Sequence, residues 1–125
     1  MKKVKKFVVI VAKDENLGGM LRYNLIKLGL NAMVFKTTTE ALEYMTDHKT
    51  QVVVSDYIFS NEDYLNGEEF LKKALKKKLA VYGILTTGSK RFLRPKKGQR
   101  WPFKIVPKPF PSVKELLNLI KDLSD

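Results

Sequence analysis

The chain has 125 residues, 44% hydrophobic and 30% charged, with a formal net charge of +11; this is one ordinary domain with enough apolar surface for a core, neither a disordered chain nor two domains. With no cysteine and a single histidine, His48, it has no disulfide framework, no Cys-based metal site and no multi-histidine one. The longest apolar run, residues 7–12, is too short to span a bilayer, and the lysine-rich start leads to no small-residue cleavage site, so the chain reads as cytoplasmic.

Residues 7–12 are a continuous, largely β-branched run, which predicts a strand buried on both faces. Over residues 16–28, Leu17, Met20, Leu21, Leu25 and Leu28 fall at helical spacing, and Gly29 supplies the stop. Gly18 and Gly19 weaken the first turn by about 1 kcal/mol each relative to alanine, or let a neighbouring element come close. Residues 31–35 are a second short strand. Thr38 or Thr39 then caps a helix with Ala41, Leu42 and Met45 on one face. A third strand, 51–56, is apolar until it nears Asp56. A helix over 67–79 turns Phe70, Leu71, Ala74, Leu75 and Leu79 inward and lysines 72, 73, 76, 77 and 78 mostly outward. Strands follow at 80–86 and 103–106, and Ser112 caps a last helix with Val113, Leu116, Leu117, Ile120 and Leu123 along one stripe.

Strands alternating with helices imply parallel pairing through right-handed crossovers, hence an α/β, doubly wound, five-stranded sheet forming a single domain over 1–125 with no effector domain. In such sheets the site lies at the carboxyl ends of the strands. Those ends are Lys13-Asp14-Glu15, Asp56, Thr86-Thr87-Gly88 and Pro107-Lys108-Pro109. Crowded carboxylates need a cation or a proton to join them, an ammonium neutralises charge, and a hydroxyl donates to an added oxyanion. The set suits Mg²⁺-assisted phosphoryl transfer to a carboxylate.

These landmarks, in this order, resemble the receiver domains of two-component response regulators over roughly residues 5–123. The resemblance implies a flavodoxin-like sheet of order 2-1-3-4-5 and a signalling role rather than an enzymatic one. It implies that Asp56 accepts a phosphoryl group from a histidine kinase or phosphotransfer protein. Thr86 and Lys108 would contact that group, and Asp14, Asp56 and the carbonyl of Ile58 would hold Mg²⁺. The sequence departs from the family at several points. Lys13 replaces the first acid of the usual pair, which weakens Mg²⁺ binding or abolishes it. At about 4 Å and an effective dielectric near 20, its ammonium would attract Asp56 by about 4 kcal/mol before desolvation. Gly67 follows Asp56 by eleven residues, where the family uses about eight. Ser60 stands for a proline and Ile105 for an aromatic switch residue.

The largest departure lies between Thr86 and Lys108, where two prolines and Gly98 break helical continuity; a basic loop is expected in place of the fourth helix. The charge collects there too. Residues 70–114 hold fourteen Lys and Arg and no acid, whereas residues 1–69 hold nine cations and ten acids. Within 90–104, seven cations alternate with Phe92, Trp101 and Phe103. Lys90, Arg91, Arg94, Lys96, Lys97, Arg100 and Trp101 are therefore candidates for an anionic partner, nucleic acid or an acidic protein, with an anionic membrane surface also open. The alternative is a loop whose aromatics pack on the sheet. Two functions stand: a phosphorylatable receiver, and a degenerate receiver that binds a partner independently of phosphorylation.

Overall fold

The computed structural model describes residues 7–57, 65–108 and 113–125. Five strands, β1 (Phe7–Val11), β2 (Asn31–Phe35), β3 (Thr50–Asp56), β4 (Ala80–Thr87) and β5 (Lys104–Pro107), form one sheet of order β2-β1-β3-β4-β5, with every pair parallel. Between them run α1 (Glu15–Lys27), α2 (Thr38–Asp47), α3 (Gly67–Lys76) and a single turn, α4 (Lys90–Leu93); α5 (Val113–Ser124) follows β5.

The alternation of side chains along a strand divides the core in two. Val8, Ile10, Val52, Val54 and Ile84 face Leu21 and Leu25 of α1 and Leu116 and Ile120 of α5. Val9, Val11, Val53 and Leu85 face α2, α3 and the aromatics Phe92 and Phe103. Both faces are covered, which is why the central strands read as unbroken apolar runs. Gly18 is buried because α1 lies close over β2; a methyl group there would come within 2.8 Å of Val34 Cγ1. Among the described residues no helix is long and apolar enough to cross a membrane.

The boundaries depart from the sequence reading in instructive places. Helix α1 starts one residue early because the Asp14 side chain accepts from the amides of Asn16 and Leu17 and serves as its N-cap. Thr37 rather than Thr38 or Thr39 caps α2; Thr38 is fully buried and donates to the carbonyl of Leu65. Helix α3 ends at Lys76, not near Leu79, because Lys78 takes a left-handed conformation (φ +58°) and the Leu79 amide turns back to the Ala74 carbonyl at 2.8 Å. His48 closes α2 at the surface with its ring stacked on Tyr44. The fourth helix is not wholly lost: Phe92, 2% exposed, pulls one turn onto the sheet before Pro95 ends it. Ser112 lies outside the described residues.

Candidate functional site

Parallel register assembles the strand-end residues. Asp56 pairs with Thr86 across β3 and β4, and Thr86 pairs with Val106 of β5, two residues before Lys108. On the other side Ser55 pairs with Val11 of β1, two residues before Lys13. Asp56 is 6% exposed, so its carboxylate must find partners within the protein. Its Oδ1 accepts from Thr86 Oγ1 and from Lys108 Nζ, each at 2.7 Å, and its Oδ2 accepts from the Lys13 backbone amide at 3.0 Å. Beneath it, Gly67 opens α3 directly against the Asp56 carbonyl and donates its amide to the Tyr57 carbonyl at 2.9 Å. The carboxylate sits in an open cleft of about 500 Å³ walled by Lys13, Asp14, Tyr57, Thr86, Thr87, Gly88 and Lys108.

The structure thus brings Asp56, Thr86 and Lys108 together as the sequence predicts. Lys13 plays a different part. No ion pair joins its exposed ammonium to Asp56; the contact comes from its backbone amide, and the pairing charge comes from Lys108. Asp14 lines the same cleft but spends Oδ1 on capping α1. The carbonyl of Ile58 lies outside the described residues.

These donors do not fit a firmly held divalent cation. A hard cation wants several oxygen ligands, with carboxylates free to turn toward it. Here Asp56 already accepts from an ammonium, a hydroxyl and an amide, Asp14 is committed to a helix cap, and a lysine stands where a second acid would be. Among the described residues no cluster of three or more acidic or histidine side chains is placed to hold a metal. The negative charge of Asp56 is met from within the chain.

A second buried carboxylate, Glu68 in the first turn of α3, went unnoticed in the sequence. Arg91 of α4 grips it with two hydrogen bonds of 2.6 and 3.1 Å, and Lys72, one turn further along α3, adds an ion pair of 3.0 Å. Burial alone would raise the Glu68 carboxyl, yet the hydrogen bonds and charges of Lys72 and Arg91 outweigh it and hold it below its ordinary range. Arg91 and Lys72 both lie over the Trp101 ring, 5.3 and 5.6 Å from its centre. The only hint in the sequence is the Glu68–Lys72 spacing.

Two residues of the basic segment have contacts within the chain: Arg91, its side chain 49% exposed, is bound to Glu68, and Trp101 is half-buried, packed on Phe92 and Phe103. Lys90, Arg94, Lys96, Lys97 and Arg100 remain exposed, without an ion pair among the described residues.

No protein-family model matches the sequence, and none of the curated proteins does. Solved structures do. The receiver domain of a Francisella response regulator, 1452, is 21% identical with a TM-score of 0.80, the match covering 96% of this chain and 97% of that one. A chemotaxis response regulator of Vibrio cholerae is 18% identical with a TM-score of 0.78, covering 96% and 99%. The non-phosphorylated HemR receiver domain of Leptospira biflexa is 24% identical with a TM-score of 0.76, covering 97% and 95%. At these identities the likeness establishes the fold, a flavodoxin-like parallel sheet of order 2-1-3-4-5.

Proposed function

We propose that this chain is a receiver of two-component phosphorelay signalling in which Asp56 accepts a phosphoryl group from a histidine kinase or phosphotransfer protein. The observation that carries this reading is the convergence of Thr86 and Lys108 on one oxygen of a buried, strand-end carboxylate at the floor of an open cleft. An Asp56 oxygen attacks phosphorus, the donor's phosphorus–nitrogen bond breaks, and the departing imidazole leaves with its electron pair and takes a proton. The acyl phosphate adds negative charge where a single carboxylate stood. Lys108 and the Thr86 hydroxyl are within reach of it, and the exposed Lys13 ammonium borders the same cleft. Phosphate-affinity electrophoresis after incubation with a small phosphodonor tests the reading. The parent should give one retarded band that Asp56→Asn lacks; no band, or a band that survives the substitution, rejects Asp56 as acceptor.

A second reading has its own support. Lys90, Arg94, Lys96, Lys97 and Arg100 stand exposed without an ion pair among the described residues, a concentration of charge that phosphoryl transfer at Asp56 does not use. That favours a degenerate receiver acting as a phosphorylation-independent binding module for an anionic partner, through the exposed cations of residues 90–104. Partner binding that is equal in the parent and in Asp56→Asn supports this reading; binding that requires a phosphodonor rejects it.

A further inference from the structure

We infer that one cationic face, built by residues 94–104, binds the phosphate backbone of double-stranded nucleic acid without reading its sequence; this rests on the binding-module reading and names its partner.

The segment is packed against α3. Gly83 of β4 has no side chain, and Phe103 and Leu75 close over it, 3.2 and 3.3 Å from where a Cβ would stand. Lys72 of α3 reaches across to the Trp101 ring. Lys73 and Lys77 lie on the other side of α3, in a groove they share with Glu43 and Asp47 of α2, and take no part in this face. Its charge is that of Arg94, Lys96, Lys97, Arg100 and Lys104, all exposed and without an ion pair among the described residues. Glu68 does not offset them, because it is buried and already holds two other cations.

The segment is held in shape. The Gln99 amide donates to the Lys96 carbonyl at 2.9 Å, the Lys96 amide donates to Gln99 Oε1 at 3.2 Å, and Gly98 supplies the positive φ (+83°) of the turn. Lys96 and Lys97 stand at its tip. Beneath them, Phe92 and Phe103 are 2% and 6% exposed, and Trp101 stacks on Phe103.

That inward packing selects the partner. A protein interface draws its affinity from buried aromatic and apolar anchors at its centre, and this segment turns its aromatics away. Docking on a lipid surface needs apolar side chains to insert, and in residues 90–104 the exposed large one is Leu93 alone. Single-stranded nucleic acid is held by bases stacked on exposed rings, which this face does not present. What remains is a field of lysine and arginine around a rigid turn. That suits a duplex, which offers one phosphate charge per about 1.7 Å of axis and is bound by releasing counterions.

The test is fluorescence anisotropy with a labelled duplex of random sequence, a single strand of the same length and poly-glutamate, each over a salt series. With about five or six phosphates neutralised, duplex affinity should fall about 10³-fold between about 50 and 200 mM salt. Replacing Arg94, Lys96, Lys97 and Arg100 together by glutamine should reduce the magnitude of the logarithmic salt slope by about 3 to 4. Adding Lys104→Gln should lower it by about 1 more. Circular dichroism should show both variants folded, since these side chains are exposed. An unchanged slope in folded variants, or tighter binding to the single strand, overturns the inference. Poly-glutamate preferred over duplex also overturns it while leaving the binding-module reading intact. Binding to none of the three at low salt defeats both.

Discussion

Replacing Gly67 by alanine sets helix propensity against packing, and packing should win. Propensity alone favours alanine over glycine by about 1 kcal/mol. Gly67 is the first residue of α3, however, and a methyl group there would fall deep inside the Asp56 carbonyl oxygen, 2.8 Å from the Asp56 carbonyl carbon and 2.9 Å from Tyr57 Cα. All three atoms are backbone at the end of a central strand. Ordinary carbon–carbon contact begins at about 3.5 Å, so α3 must move off β3 by more than half an ångström. Overpacking of this kind costs about 1–3 kcal/mol. Loosening the capping box between Asn66 and Glu69 adds about 1 kcal/mol. A net loss of about 1–3 kcal/mol, with a urea slope of about 2 kcal/mol/M, lowers the unfolding midpoint by about 0.5–1.5 M. Gly19→Ala is the control: Gly19 is exposed within α1, has nothing within 4 Å of a new Cβ, and should raise the midpoint by up to about 0.5 M. A Gly67→Ala protein as stable as the parent would show that α3 does not abut the Asp56 carbonyl, and the geometry of the cleft would need redrawing.

Lys78→Gly should stabilise the domain by about 1 kcal/mol in the same assay, because it relieves a left-handed lysine at the end of α3; no gain would mean the residue is unstrained. Glu68 is held below its ordinary range, so the stability it contributes is present above its unfolded value of about 4.3 and lost as pH falls through its folded one. Glu68→Gln should therefore lower stability at neutral pH and flatten its acid dependence between about pH 5 and 3; urea midpoints with parallel acid limbs would exclude Glu68 as the source. Lys13→Asp should tighten Mg²⁺ binding beside Asp14 and Asp56, seen in a titration of amide chemical shifts around the cleft as higher affinity than in the parent; unchanged affinity would clear Lys13 of blame.

The sheet was legible because its central strands are buried on both faces, and the helix stripes set the spacing of the crossovers. What misled were stops and caps that sequence marks weakly. Helices α1 and α3 end in the same way, with an amide reaching back to a carbonyl five residues earlier, Leu30 to Leu25 and Leu79 to Ala74. At the first the left-handed position is Gly29 and announces itself; at the second it is Lys78 and does not. Likewise Thr37, Thr38 and Thr39 are equivalent as caps until the Leu65 carbonyl draws Thr38 inside.

The site divides along the same line. Asp56, Thr86 and Lys108 were legible because strand ends converge in a parallel sheet whatever the details of packing. Lys13 was legible as a departure but not in its action, since its contact is a backbone amide that any residue except proline would supply. For residues 90–104, alternating cations and aromatics do not say which set faces out. Glu68 decides it for Arg91 and Lys72: a buried carboxylate draws in the nearest guanidinium and ammonium, and Trp101 follows beneath them. Both cations stay about half exposed, but their charge is answered by Glu68. A single acid, lying just before a 45-residue stretch that has none, thus takes Lys72 and Arg91 out of that stretch's unanswered charge, as Asp56 takes Lys108.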